Sequence, residues 1–112
     1  MSASACTFRG EEGLAVSFAE ILTDQRPCVI DVRTEAEFQT GALQGAINLP
    51  LAQLEQRLDE LPSDRQASLV IYCASGGRSA MACTLLRQHG YIRALNAGGL
   101  WAAAAALGRS LC

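Results

Sequence analysis

Lysine is absent from this 112-residue chain, and all nine cationic side chains are arginine. Those arginines are scattered rather than clustered, so the chain lacks the basic patch that nucleic-acid binding requires. The formal net charge is only −2. Histidine is nearly absent as well, with His89 the single one. No apolar run approaches the length of a membrane span, the longest being the short alanine-rich stretch 100–107, and no membrane association is expected. Cysteine is present but shows no pairing pattern. Cys6, Cys28, Cys73, Cys83 and Cys112 are odd in number and include no C-x-x-C spacing, which argues against a disulfide framework or a structural zinc site. A reducing cytoplasm is the expected setting. The segment Met1–Cys6 lacks the basic start and apolar core of a signal peptide, and none is expected.

Half of the residues are apolar and 18% are charged, which excludes an intrinsically disordered chain and fits one domain with a single core. That core is expected over about residues 14–107, with tails 1–10 and 108–112 loosely held. A helix is predicted at 14–24, stopped by Pro27. The β-branched run 28–32 reads as a buried strand with Asp31 near its end and Arg33 just after it. Thr34 then reads as a helix N-cap, with Glu35 and Glu37 in the first turn where carboxylates suit the helix dipole. A second short strand is predicted at 46–49. Leu51, Leu54, Leu58 and Leu61 mark an amphipathic helix ending at Pro62. Further strands are predicted at 69–72 and 91–95, with a helix at 79–89 between them, a turn at 96–99 and a last helix at 100–107. Alternating strands and helices indicate an α/β domain with a largely parallel sheet. Sites in such sheets lie beyond the carboxyl ends of the strands, where Asp31, Cys73 and the 96–99 turn all fall.

The chemically informative stretch is Leu69-Val70-Ile71-Tyr72-Cys73-Ala74-Ser75-Gly76-Gly77-Arg78-Ser79. It reads as strand, tight loop and helix, with a thiol at the strand's end. A buried cysteine is more often an inert small hydrophobe than a nucleophile. Here the sequence after it argues otherwise. Gly76 and Gly77 release steric restraint where successive amides must converge, Arg78 supplies a positive charge, and Ser79 reads as the cap of the following helix. Amides and helix dipole together would cradle an anion and favour the thiolate. His89 sits at the far end of that helix, where contact with helix-end carbonyls is expected. Activation therefore falls to amides, dipole and arginine.

These residues, taken with Asp31-Val32-Arg33, Glu37-Phe38-x-x-Gly41, Gly45-Ala46-Ile47-Asn48-Leu49-Pro50 and Asn96-Ala97-Gly98-Gly99-Leu100, resemble the rhodanese domain. The likeness is greatest to the small single-domain bacterial rhodaneses, including the phage-shock type, and spans about residues 14–107. It implies a five-stranded, mainly parallel sheet with helices on both faces. It also implies a sulfurtransferase without metal or organic cofactor, whose Cys73 cycles between thiolate and persulfide. The donor would be a small sulfur anion such as thiosulfate. The acceptor would be cyanide or a thiol, borne by a small molecule or a thioredoxin-like protein. In that scheme the amides from Ala74 through Ser75, Gly76, Gly77 and Arg78 to Ser79 hold the persulfide anion, and Arg78 attracts the donor.

Related phosphatases and arsenate reductases of this fold carry one residue more than the six from Cys73 to Arg78, so sulfur transfer is favoured over oxyanion chemistry. A binding module or dedicated sulfur carrier is the non-catalytic alternative, disfavoured by the presence of both Cys73 and Arg78. Ala74 stands where thiosulfate-using members commonly have a basic residue, which leaves the donor open. Asp31 and Arg33 are expected to support the sheet edge structurally rather than to act on substrate. Cys28 and Cys83 read as core residues, and Cys6 and Cys112 as exposed tail residues.

Overall fold

The computed structural model describes residues 27–111. The helix expected at 14–24, the tail 1–10, Cys6 and Cys112 lie outside the described residues. Within them four strands form one parallel sheet in the order β2-β1-β3-β4: β1 Cys28–Asp31, β2 Ile47–Asn48, β3 Leu69–Cys73 and β4 Ala94–Gly99. The helices are α1 Glu35–Gln39, α2 Leu51–Leu54, α3 Gly77–Gln88 and α4 Leu100–Leu107, with a 3-10 helix over Glu55–Glu60. The resemblance implies five strands, whereas the described residues hold four. Each of those four lies at or beside one of the four strand segments read from the sequence, and the remaining long apolar run, 100–107, is helical.

The side chains of β3 explain why its sequence is unbroken apolar rather than alternating. Strand neighbours point to opposite faces, and here both faces are covered. Leu69, Ile71 and Cys73 join Ile30, Leu54, Leu61, Ala82, Cys83 and Leu86 on the face roofed by α2, the 3-10 helix and α3. Val70 and Tyr72 join Val29, Leu43, Ala97 and Ala103 on the face roofed by α4. All five residues of β3 are fully buried, each large side chain contributing about 1.5–3 kcal/mol of hydrophobic stabilisation.

Two elements depart from expectation. The predicted leucine helix is α-helical only over Leu51–Leu54. It then tightens to 3-10 geometry, with Arg57 at φ −120° and ψ 25° interrupting it. Leu54 and Leu61 still reach the core and Leu51 and Leu58 pack at its margin, so the leucine spacing held the face but not the helix type. The strand predicted at 91–95 is displaced to Ala94–Gly99. After α3, Gly90 at φ +96° turns the chain, and Tyr91 N–H donates back to the Leu86 carbonyl at 3.0 Å. Tyr91 enters the core with its hydroxyl donating to the Pro62 carbonyl at 2.6 Å. The segment expected as a turn, Asn96–Gly99, is the end of β4 because it pairs with β3 up to Cys73↔Gly99. Ala97 is the extra residue where the register shifts between Ile71↔Asn96 and Tyr72↔Gly98. Strand pairing overrides the local turn preference of glycine.

Candidate active site

Cys73 ends β3 with no exposed surface, and the chain turns at once through Ala74 and Ser75 into α3. Gly76 makes that turn possible. Its φ is +107°, and a Cβ there would also stand 3.4 Å from Gly98 Cα. Gly99 forms the wall beneath the loop, because a Cβ on it would lie 2.5 Å from the Ala74 carbonyl oxygen. Gly77, by contrast, has ordinary helical geometry and open space around it, so the backbone does not require a glycine there.

The loop bends its amides toward the sulfur. Gly76 N–H donates to Cys73 Sγ at 2.9 Å, and the Ser79 hydroxyl lies 3.6 Å from Sγ. Burial pushes the thiol's pKa up, but the Ser79 hydroxyl and the amides of Ser79, Gly76 and Ser75 outweigh it, leaving the pKa below that of an ordinary thiol. Ser79 is not the cap of α3. That position belongs to Gly76, with no side-chain cap, and Ser79 is the buried third residue of the helix. Its hydroxyl sits 2.6 Å from Asn96 Oδ1 and 3.0 Å from the Gly76 carbonyl. Asn96 Nδ2 donates to the Gly76 carbonyl at 3.2 Å, and Asn96 Oδ1 accepts Gly98 N–H at 2.8 Å. One β4 side chain thereby ties the loop to the strand beside it.

Arg78 is engaged with a partner distant in sequence. Its guanidinium donates to both carboxylate oxygens of Glu37 on α1, at 2.8 and 3.1 Å. Glu37 also closes a capping box with Thr34, the expected N-cap. The Arg78 hydrogen bond, helped by Thr34, holds the Glu37 carboxyl down at about 2. Read locally, Glu37 is a first-turn acid and Asn96 a turn residue. Their position at the carboxyl edge of a parallel sheet was the available signal for something more.

Asp31 and Arg33 are brought to each other. Arg33 Nε donates to Asp31 Oδ1 and Oδ2 at 3.0 Å each, Nη2 to Oδ2 at 2.7 Å, and Nη2 also to the Gly41 carbonyl at 2.7 Å. The pair braces β1 against the segment following α1. Cys28 and Cys83 differ from Cys73 in their surroundings. Burial pushes the Cys83 thiol up to about 11 and raises that of half-buried Cys28. His89 faces Glu55, Nε2 to Oε2 3.4 Å, instead of the helix-end carbonyls expected for it. The described residues contain no cluster of potential metal ligands and no helix long and apolar enough to cross a membrane.

The parallel α/β sheet thus ends β3 on a thiol whose pKa is lowered, inside a loop of amides followed by arginine. The sequence model of the Rhodanese-like domain matches residues 14–105, and the chain belongs to that family. A sulfurtransferase of Allochromatium vinosum is 45% identical over 71 residues, which cover 63% of this chain and 64% of that protein. The thiosulfate sulfurtransferase PspE of Escherichia coli is 38% identical over 71 residues, covering 63% and 68% respectively. The human thiosulfate:glutathione sulfurtransferase is 32% identical over 93 residues, covering 72% and 81%. Among solved structures, a rhodanese with anions from E. coli superposes with a TM-score of 0.65 at 35% identity, covering 69% of this chain and 91% of that one.

Proposed function

We propose that the protein is a sulfurtransferase in which Cys73 carries the sulfur. The Cys73 thiolate attacks the outer sulfur of a donor such as thiosulfate. The donor's S–S bond breaks, sulfite leaves with the electron pair, and Cys73–S–S⁻ remains. An acceptor nucleophile, cyanide or a thiolate, then attacks the outer sulfur and returns Cys73 as thiolate. The observation that carries this reading is the 2.9 Å hydrogen bond from Gly76 N–H to Sγ, in a loop where the Ser79 hydroxyl and the amides together outweigh the burial of the thiol. Neighbouring amides at the start of α3 provide further donors for the charge on the outer sulfur. Names of relatives support the same chemistry, including a thiol acceptor in the human protein. The six-residue span from Cys73 to Arg78 favours sulfur over the larger oxyanions of phosphatases and arsenate reductases.

Intact-mass measurement after brief thiosulfate treatment tests the proposal. The protein is expected to gain one sulfur atom that dithiothreitol removes, and Cys73→Ser is expected to gain none. Equal gain by Cys73→Ser, or no gain from thiosulfate, mercaptopyruvate or an organic persulfide, overturns it.

A further inference from the structure

Arg78 is the only charged residue between Cys73 and Ser79, and its charge is already matched. Nη1 and Nη2 engage the two carboxylate oxygens of Glu37 as a bidentate pair. The carboxylate is fixed independently of Arg78. Glu37 Oε1 accepts Thr34 N–H at 2.9 Å and the Thr34 hydroxyl at 3.1 Å, and Glu37 N–H donates to Thr34 Oγ1 at 3.2 Å. It is therefore the N-terminus of α1 that sets where the guanidinium is held. The remaining loop residues, Ala74, Ser75, Gly76, Gly77 and Ser79, add no charge, and the chain has no lysine to add one.

We propose that Glu37 sets the charge preference of the site: by cancelling the Arg78 cation it disfavours free dianionic donors and favours sulfane-sulfur donors of low net charge, of the organic persulfide class. This rests on the sulfur-transfer reading and specifies its donor. With R–S–SH as donor, the Cys73 thiolate attacks the outer sulfur. The S–S bond breaks and RS⁻ leaves with the electron pair, giving Cys73–S–SH. No sulfite dianion has to be stabilised on departure. A dianion approaching this mouth meets amide dipoles and a closed ion pair, whose field falls off faster than that of a lone cation. Both side chains of the pair are 36% exposed, so solvent weakens what field is left.

The test reads charge at Cys73 without requiring sulfane transfer. Alkanethiosulfonates bearing a neutral methyl, a cationic ethyltrimethylammonium or an anionic ethylsulfonate group each form a mixed disulfide with a thiolate and release a sulfinate. Rates at Cys73 are followed by peptide mass, separately from the other cysteines. The wild-type protein is expected to show little difference between the anionic and cationic reagents. Glu37→Gln keeps an oxygen acceptor for Thr34 and Arg78 and removes only the charge. It is expected to raise the anionic-to-cationic rate ratio about 5–10-fold at low salt, with the gain shrinking as salt is added and the neutral reagent unaffected. Thiosulfate loading is expected to rise in parallel, with loading from an organic persulfide changed less. The double variant Glu37→Gln/Arg78→Gln is expected to return the ratio to the wild-type value.

A fall in the anionic rate of Glu37→Gln, or an equal change for all three reagents, would show that Glu37 merely holds Arg78 in place, and overturns the proposal. Absence of sulfur loading from every donor, with the charge series intact, would instead remove the sulfur-transfer reading.

Discussion

Two arginine–carboxylate pairs stand at the carboxyl ends of neighbouring strands with almost the same closest distance and opposite surroundings. Arg33 and Asp31 meet at 2.7 Å with side-chain exposures of 6% and 0%; Arg78 and Glu37 meet at 2.8 Å with both 36% exposed. Distance alone would rank them equal. In the buried pair each charge has lost its water, so either partner left alone carries a large desolvation penalty. In the exposed pair water stands ready to replace the partner, so the pair contributes little to stability and its effect is chiefly on the local field. The first braces the sheet edge, and the second shapes what the thiol's surroundings attract.

Asp31→Asn should produce the largest stability change. It leaves the Arg33 guanidinium buried with no counter-charge, and a broken buried pair costs about 3–5 kcal/mol. Urea unfolding should show a midpoint lowered accordingly with an unchanged slope. The alkylation rate of Cys73 in the folded fraction should stay at the wild-type value. Loss of thiol reactivity without loss of stability would break the division of labour between the pairs.

That division marks where the sequence was legible. Short-range chemistry could be read directly: the Thr34 cap, the Gly90 stop, the 100–107 helix and the placement of Cys73 at a strand end each follow from neighbouring residues. The charge state of the loop could not, because Glu37 and Arg78 are separated by 41 positions and meet only once β1 and β3 pair and bring the segments that follow them to one edge of the sheet. Asn96 was obscured for a related reason. Beside two glycines it reads as a turn, and only pairing with β3 draws Asn96–Gly99 into the sheet and under the loop. The fifth strand implied by the resemblance has no counterpart among residues 27–111, where the strand segments read from the sequence number four.

Thr34→Ala should have an intermediate effect and tests whether Glu37 is held from its own helix. The substitution removes the side-chain acceptor of Glu37 N–H and one of the donors to its carboxylate. Loss of such a cap costs about 1 kcal/mol. If α1 fixes Glu37, the charge preference at Cys73 should loosen toward that of Glu37→Gln without matching it. An unchanged preference would mean that Arg78 alone positions the carboxylate.

The smallest effect expected is the acid dependence of the exposed pair. Glu37 has a folded-state pKa of about 2, depressed from 4.5 first by the Arg78 hydrogen bond and then by Thr34. A depressed carboxyl binds its proton more readily in the unfolded chain than in the folded one. Its contribution is therefore complete above about pH 4.5 and is lost as the pH falls toward 2. Screening at this exposure limits that contribution to about 1 kcal/mol or less. Comparing wild type with Glu37→Gln by urea unfolding at several pH values isolates it. The two curves should differ by a small constant above pH 5 and converge below it. A difference of several kcal/mol at neutral pH would place Glu37–Arg78 in the same energetic class as Asp31–Arg33, and burial would then not be what separates the two pairs.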